Sequence, residues 1–277
     1  MGKSIQHLEF IETHGKEIIY HYNKDDVPLP CFFYLGLIER LHSTAISLNA
    51  LIKTVNDVPE MEFSIGLIVR TVILDFLIGL RGYDIYKEGE EAGSNHDAID
   101  IDLKKYCNIT LADGVVKTGK YFVLLNKKEQ LSDEKLHETL NKLSGDYSNW
   151  IEKYNNDKVA PKSKFEQGLT GSGLFEKISD SPGIKALALH FEKYAMFSKY
   201  EHFSAMSYTV LRRPIVDQLP TIDHAIEVFV LHLFICADII KKYLNDDFIN
   251  GKIRILTEYI AEVLGVPPAA VEDVADK

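Results

Sequence analysis

Three features of the sequence predict an all-α protein, a bundle of about seven helices with an irregular middle section. Apolar residues return every three or four positions through most of the 277-residue chain. Proline and glycine clusters such as Pro28-Leu29-Pro30, Arg213-Pro214 and Gly265-Val266-Pro267-Pro268 fall between those periodic runs, where breakers belong. The run from Phe63 to Leu80 is apolar on nearly every side, the mark of a helix enclosed by others.

Taken in order, Ile5 to Tyr22 reads as an amphipathic helix, with His7, His14 and His21 along one stripe as its polar edge. Leu35, Ile38, Leu41, Ala45, Leu48 and Ile52 share one face of a second helix from Cys31 to Val55. Pro59 suits the first turn of the third, the apolar one, for which Gly82 is a stop signal. Residues 83–130 read as an irregular insert: Glu88 to Asp97 is polar and glycine-dotted, and Ile99 to Leu125 reads as helical although Ile99-Asp100-Ile101-Asp102-Leu103 alternates like a strand. A helix capped by Ser132 or Asp133 carries Leu136, Leu140, Leu143, Tyr147, Trp150 and Tyr154 at coiled-coil-like spacing. Residues 155–181 read as a loop. Ser181-Pro182 starts a helix towards Tyr208, Thr221 caps one to Leu244, and Ile253 to Val263 is the last before a frayed tail at 266–277. The whole reads as one domain, 1–277.

The composition, 46% hydrophobic and 26% charged, is globular, and the net charge of −10 disfavours a broad nucleic-acid-binding face. Three widely spaced cysteines without a C-x-x-C read as reduced, buried thiols of a cytoplasmic protein, and the first residues lack the apolar run of a signal peptide. The apolar run is long enough to span a bilayer, but Arg70 and Asp75 in its middle would each cost about 2.5–3.5 kcal/mol there, so a core helix is expected and no membrane partner.

Those two charges also locate the candidate site. A charge inside an apolar helix requires polar partners from other elements. Arg70 and Asp75 are five residues apart, about 140° around the helix, so each needs its own. Tyr194, Ser198 and His202, four apart, form the most suitable polar face elsewhere in the chain, and Glu39 on the preceding helix is the expected further member. Arg70, Asp75, Ser198 and His202 are thus the catalytic candidates, and with Glu39 and Tyr194 they make the expected ligand-binding set.

Arg70-Thr-Val-Ile-Leu-Asp75 resembles the Arg-x4-Glu helix of a widespread, uncharacterised bacterial all-helical domain family, with Asp75 where glutamate is usual. Tyr194-x3-Ser198-x3-His202 resembles that family's Tyr-x3-Ser-x3-His helix, with Phe203 following where a small residue or proline is expected. The resemblance covers roughly Leu35 to Tyr243. It implies a helical fold and a shared buried polar cluster, and it implies no established activity.

Other chemistries have weaker support. The RNase signature of HEPN domains, Arg followed after four to six residues by His, occurs at none of the arginines tested (Arg40, Arg70, Arg81, Arg212, Arg213 and Arg254), so an RNase would need a dispersed Arg70–His202 pair. Glu39-x-x-His42 and Glu134-x-x-His137 have di-iron spacing, but so short a pattern recurs by chance in a chain this rich in glutamate and histidine. No P-loop, G-x-G-x-x-G or G-x-S-x-G occurs. The expected function is a cytoplasmic binding or regulatory module for an unidentified small molecule or protein, with a homo-oligomer left open and no cofactor or metal ligand identified. The alternative is an enzyme built on the same cluster, either a HEPN-like RNase or a metal-dependent hydrolase or oxidase.

Overall fold

A computed structural model of the chain describes residues 2–55, 57, 58, 60–154, 158–161, 171–181, 194, 195, 197, 215–268 and 271. The described residues form eight helices and one small hairpin, an all-α architecture as the periodicity predicts. The helices are α1 (Gly2–His21), α2 (Leu29–Thr54), α3 (Met61–Glu91), α4 (His96–Lys127), α5 (Asp133–Asp146), α6 (Gly171–Ser179), α7 (Ile215–Leu244) and α8 (Asp247–Leu264). Strands β1 (Ile151–Tyr154) and β2 (Lys158–Pro161) pair antiparallel, with Ile151 opposite Pro161.

The chain divides into two compact units rather than the single domain expected. Unit 1 comprises Met1–Ser94 and Gly171–Lys277, and unit 2 comprises Asn95–Thr170. In unit 1, α7 packs on α2, α3, α8 and α1, and α1 packs on α2. Its core includes Tyr34, Leu35, Ile38, Ile73, Phe76, Leu80, Ile226, Phe229 and Leu233, all essentially without solvent exposure. Burying each large aliphatic or aromatic side chain contributes about 1.5–3 kcal/mol. Among the described residues α3 is the one helix long and apolar enough to cross a membrane, and 56% of its most apolar stretch is buried within the protein.

Within 83–130, expected as an irregular insert, the helical reading of Ile99 to Leu125 holds, and the polar stretch expected as a loop is largely helical as well. Gly82 does not stop α3: it is buried inside the helix, which continues to Glu91. The polar run then divides at Asn95, whose side chain accepts from the Ala98 amide at 2.9 Å and caps α4. The strand-like alternation resolves into helical spacing. Ile99, Leu103 and Tyr106 are buried while Ile101 is 65% exposed. Ser132 caps α5 as expected, but the helix ends at Asp146 rather than continuing to Tyr154. Trp150 lies beyond that end and donates its indole N–H to Asn108 on α4 at 2.7 Å, and Ile151 enters the hairpin. Val116, Leu136, Leu140 and Ile151 form the small core of this unit.

The loop expected at 155–181 contains β2 and α6. Thr221 lies inside α7, which begins at Ile215 and carries Pro220 internally. The last helix starts earlier than expected, with Asp246 accepting from the Ile249 amide at 2.9 Å, and ends at Gly265 in the left-handed conformation. Most of the tail from residue 266 lies outside the described residues, but Val271 within it is helical and 6% exposed rather than frayed.

Candidate functional site

Where α2, α3 and α7 meet, four polar side chains enter an otherwise apolar core. Arg40 of α2 donates from Nε to Asp75 Oδ2 at 2.8 Å and from Nη2 to Oδ1 at 3.2 Å, a two-point grip on the α3 carboxylate. The two partners differ in burial: the Arg40 side chain is 60% exposed and that of Asp75 only 12%. Burial raises the Asp75 pKa above the usual carboxylate value, and the Arg40 hydrogen bond and charge oppose that shift without cancelling it.

His232 and Cys236, one turn apart on α7, are fully buried. His232 meets Phe76 edge to face, with ring centroids 6.0 Å apart. It also packs on Gly79, where an added Cβ would lie 3.5 Å from His232 Nε2 and 3.3 Å from Leu37 Cδ1. The Gly79 carbonyl accepts from the Tyr34 hydroxyl at 2.8 Å, which secures α2 to α3 beside the imidazole. Neither nitrogen of His232 has a hydrogen-bond partner among the described residues. Burial, with a contribution from the Arg40 charge, brings its pKa down to about 3, so the ring is neutral. Burial and then the Asp75 charge push the Cys236 thiol well above its ordinary value.

Of the residues singled out in the sequence, Arg70 and Tyr194 meet. Arg70 Nη2 donates to the Tyr194 hydroxyl at 3.1 Å, and the guanidinium lies 5.0 Å from the ring centroid. Asp75 belongs to a different pair, with Arg40. Glu39 is not a member of the buried set: its side chain is 54% exposed and ion-paired with Lys24. Both side chains start from exposed positions, but Glu39 sits about 100° around α2 from Arg40, where it meets Lys24 instead of Asp75. Ser198 and His202 lie outside the described residues.

The pattern-based reading missed Arg40, His232 and Cys236. Arg40 was hidden by its exposed position next to Glu39. His232 stood in the sequence as one polar residue in an apolar run, the same signal that drew attention to Arg70 and Asp75.

No group of three or more His, Cys, Asp or Glu side chains placed to hold a metal occurs among the described residues. The two Glu-x-x-His pairs lie in different units, and His224 and Glu227 form a surface pair at 2.7 Å. An open groove of about 1020 Å³ runs between α1 and α2, lined by glutamates, Lys16, Tyr20, His42 and Ile46. Its carboxylates already have partners: Glu9 with Lys53, Glu12 with Asn49 and Glu17 with Lys252.

A general base at neutral pH needs a pKa near 7 and a nucleophilic cysteine needs a lowered one. His232 and Cys236 are displaced from those values in the unhelpful direction. No protein-family model, curated protein or solved structure matches the chain.

Proposed function

We propose that this protein is a ligand-binding helical module, cytoplasmic, whose recognition site is the cluster of Arg40, Asp75, His232 and Cys236. The observation that carries this reading is His232, a fully buried neutral imidazole with neither nitrogen hydrogen-bonded among the described residues. Leaving such a group unsatisfied costs about 1–3 kcal/mol, a cost expected at a site that a ligand completes. The Arg40 guanidinium, exposed on one side and bound to Asp75 on the other, offers the charged contact for an anionic group, and the imidazole offers one donor and one acceptor. The three cysteines are free and buried, which supports a reducing compartment.

Ring-labelled histidine NMR during a screen of small carboxylate- and amide-bearing fragments tests this. Fragments that shift the His232 ring signals, and that no longer bind His232→Leu, support a recognition site there. A screen with no His232 response, or RNA cleavage or tightly bound metal in the purified protein, contradicts it.

A further inference from the structure

Outside the cluster, three histidines of α1 form a row towards α8, with His7 buried, His14 half-buried and His21 exposed. His7, His14 and His21 lie two helical turns apart on α1, and α8 sets Tyr259, Lys252 and Phe248 against them. His7 Nδ1 lies 2.8 Å from the Tyr259 hydroxyl oxygen, and its buried Nε2 has no hydrogen-bond partner among the described residues. Phe10 stacks on the same tyrosine with ring centroids 3.7 Å apart. One turn on, His14 Nδ1 lies 3.3 Å from Lys252 Nζ and 3.1 Å from Glu17 Oε2, and Lys252 also donates to Glu17. His21 stacks on Phe248 at 3.7 Å. The stripe expected to be a polar edge is one at His21, which is exposed, and turns inward towards His7, which is 5% exposed and meets α8.

The Lys252 contact and the buried Nε2 of His7 favour neutral rings, while Glu17 Oε2 at 3.1 Å from His14 Nδ1 favours a proton there. An ammonium group has donors only, so its approach to His14 Nδ1 needs a lone pair there. A proton on that nitrogen would place two cations 3.3 Å apart. A charged His7 would need an acceptor for its buried Nε2–H. We infer that the α1–α8 seam is an acid-sensitive latch, in which protonation of His7 and His14 loosens the C-terminal helix from α1.

The groups facing these rings decide the direction. His7 faces Tyr259 of α8, Asp223 and Glu227 of α7, and Lys3 of its own helix; His14 faces Lys252 of α8 and Glu17 of α1. On the α2 side His42 packs against Gly15, beside His14. The carboxylates favour the charged rings, but Asp223 is hydrogen-bonded by Ser4, Glu227 pairs with His224, and Glu17 accepts from Lys252. Burial prevails at both rings, aided by Lys252 at His14 and Lys3 at His7, and holds both below the ordinary histidine value. In the loosened state the rings return to about 6.5. The seam is therefore complete above that pH and weakens as pH falls below it. α8 stays packed on α7, so the loosening is confined to its α1 side.

Hydrogen exchange of the full chain at pH 7.5 and 5.0, corrected for intrinsic rates, tests the latch. The α8 amides are expected to lose protection while α3 does not, by up to about thirtyfold for each released histidine over the 1.5 units below 6.5. His7→Gln/His14→Gln should remove the difference. Unchanged α8 protection in the parent, or an equal loss in the double variant, overturns the proposal. If the double variant does not fold, exchange of the imidazole Cε1 protons in the parent decides: values for His7 and His14 below 6.5 support the latch, and values at or above it overturn it.

Discussion

Arg40 and Asp75 form one pair with two unequal members. Asp75 is buried and Arg40 reaches in from solvent, so removing either should have different consequences. Arg40→Met leaves a buried carboxylate without its partner and should destabilise by about 1–2 kcal/mol, below the 3–5 kcal/mol of a fully buried pair because the guanidinium is largely screened. Asp75→Asn removes a charge that burial disfavours, keeps an acceptor for Arg40, and lets the guanidinium stay in water, so it should cost less than about 1 kcal/mol. Urea denaturation of the two variants checks this order, and a costlier Asp75→Asn would reverse the account of the pair.

At His232 the folded pKa of about 3 lies below the ordinary 6.5. Its contribution to stability is fully present above pH 6.5 and is lost as pH falls towards 3, at up to about 1.4 kcal/mol per pH unit. His232→Leu, similar in volume and without unsatisfied nitrogens, should unfold at higher urea than the parent at pH 7 and lose that slope.

At the scale of elements, the helices differ in how well their residues suit them. Gly114 in α4 has open space where a Cβ would stand, so Gly114→Ala should stabilise by about 0.5–1 kcal/mol through helix propensity alone. Gly265 closes α8 at φ 66°, where Gly265→Ala should cost about 1–2 kcal/mol. Thermal unfolding of both variants reads these opposite signs. The same contrast explains which elements were legible in the sequence. Ser132 capping α5 and the apolar face of α2 follow from local chemistry, and both are found. Gly82 has the chemistry of a helix stop, but it is buried within α3 and the helix runs on; the packing that overrides it is tertiary. Ile99 to Leu103 satisfies two periodicities over five residues, and only the longer register through Tyr106 distinguishes them. At the site, Asp75 as a buried charge was legible, whereas its partner was not: Arg40 sits on an exposed flank, and no sequence pattern states that a long side chain reaches back over its helix.

For the whole molecule, the two units have cores of very different size. Unit 1 encloses most of the fully buried aliphatic and aromatic side chains, while the main core of unit 2 rests on Val116, Leu136, Leu140 and Ile151. Amides of α5 should therefore exchange through openings of lower free energy than those of α3 and α7, measurable by native-state exchange at increasing urea. Within unit 1, the apolar enclosure formed by α2, α3 and α7 is what makes the polar cluster distinctive, because it leaves the imidazole without solvent exposure. A pH titration of the His232 ring by NMR, using Cε1 and ring-nitrogen labels in the full chain, tests this most directly. The ring is predicted to stay neutral from pH 8 down to below about 4, with nitrogen shifts of an imidazole free of hydrogen bonds. A midpoint near 6.5, or nitrogen shifts showing a bound partner in the purified protein without ligand, would contradict the account of His232 as a buried imidazole with no hydrogen-bond partner among the described residues.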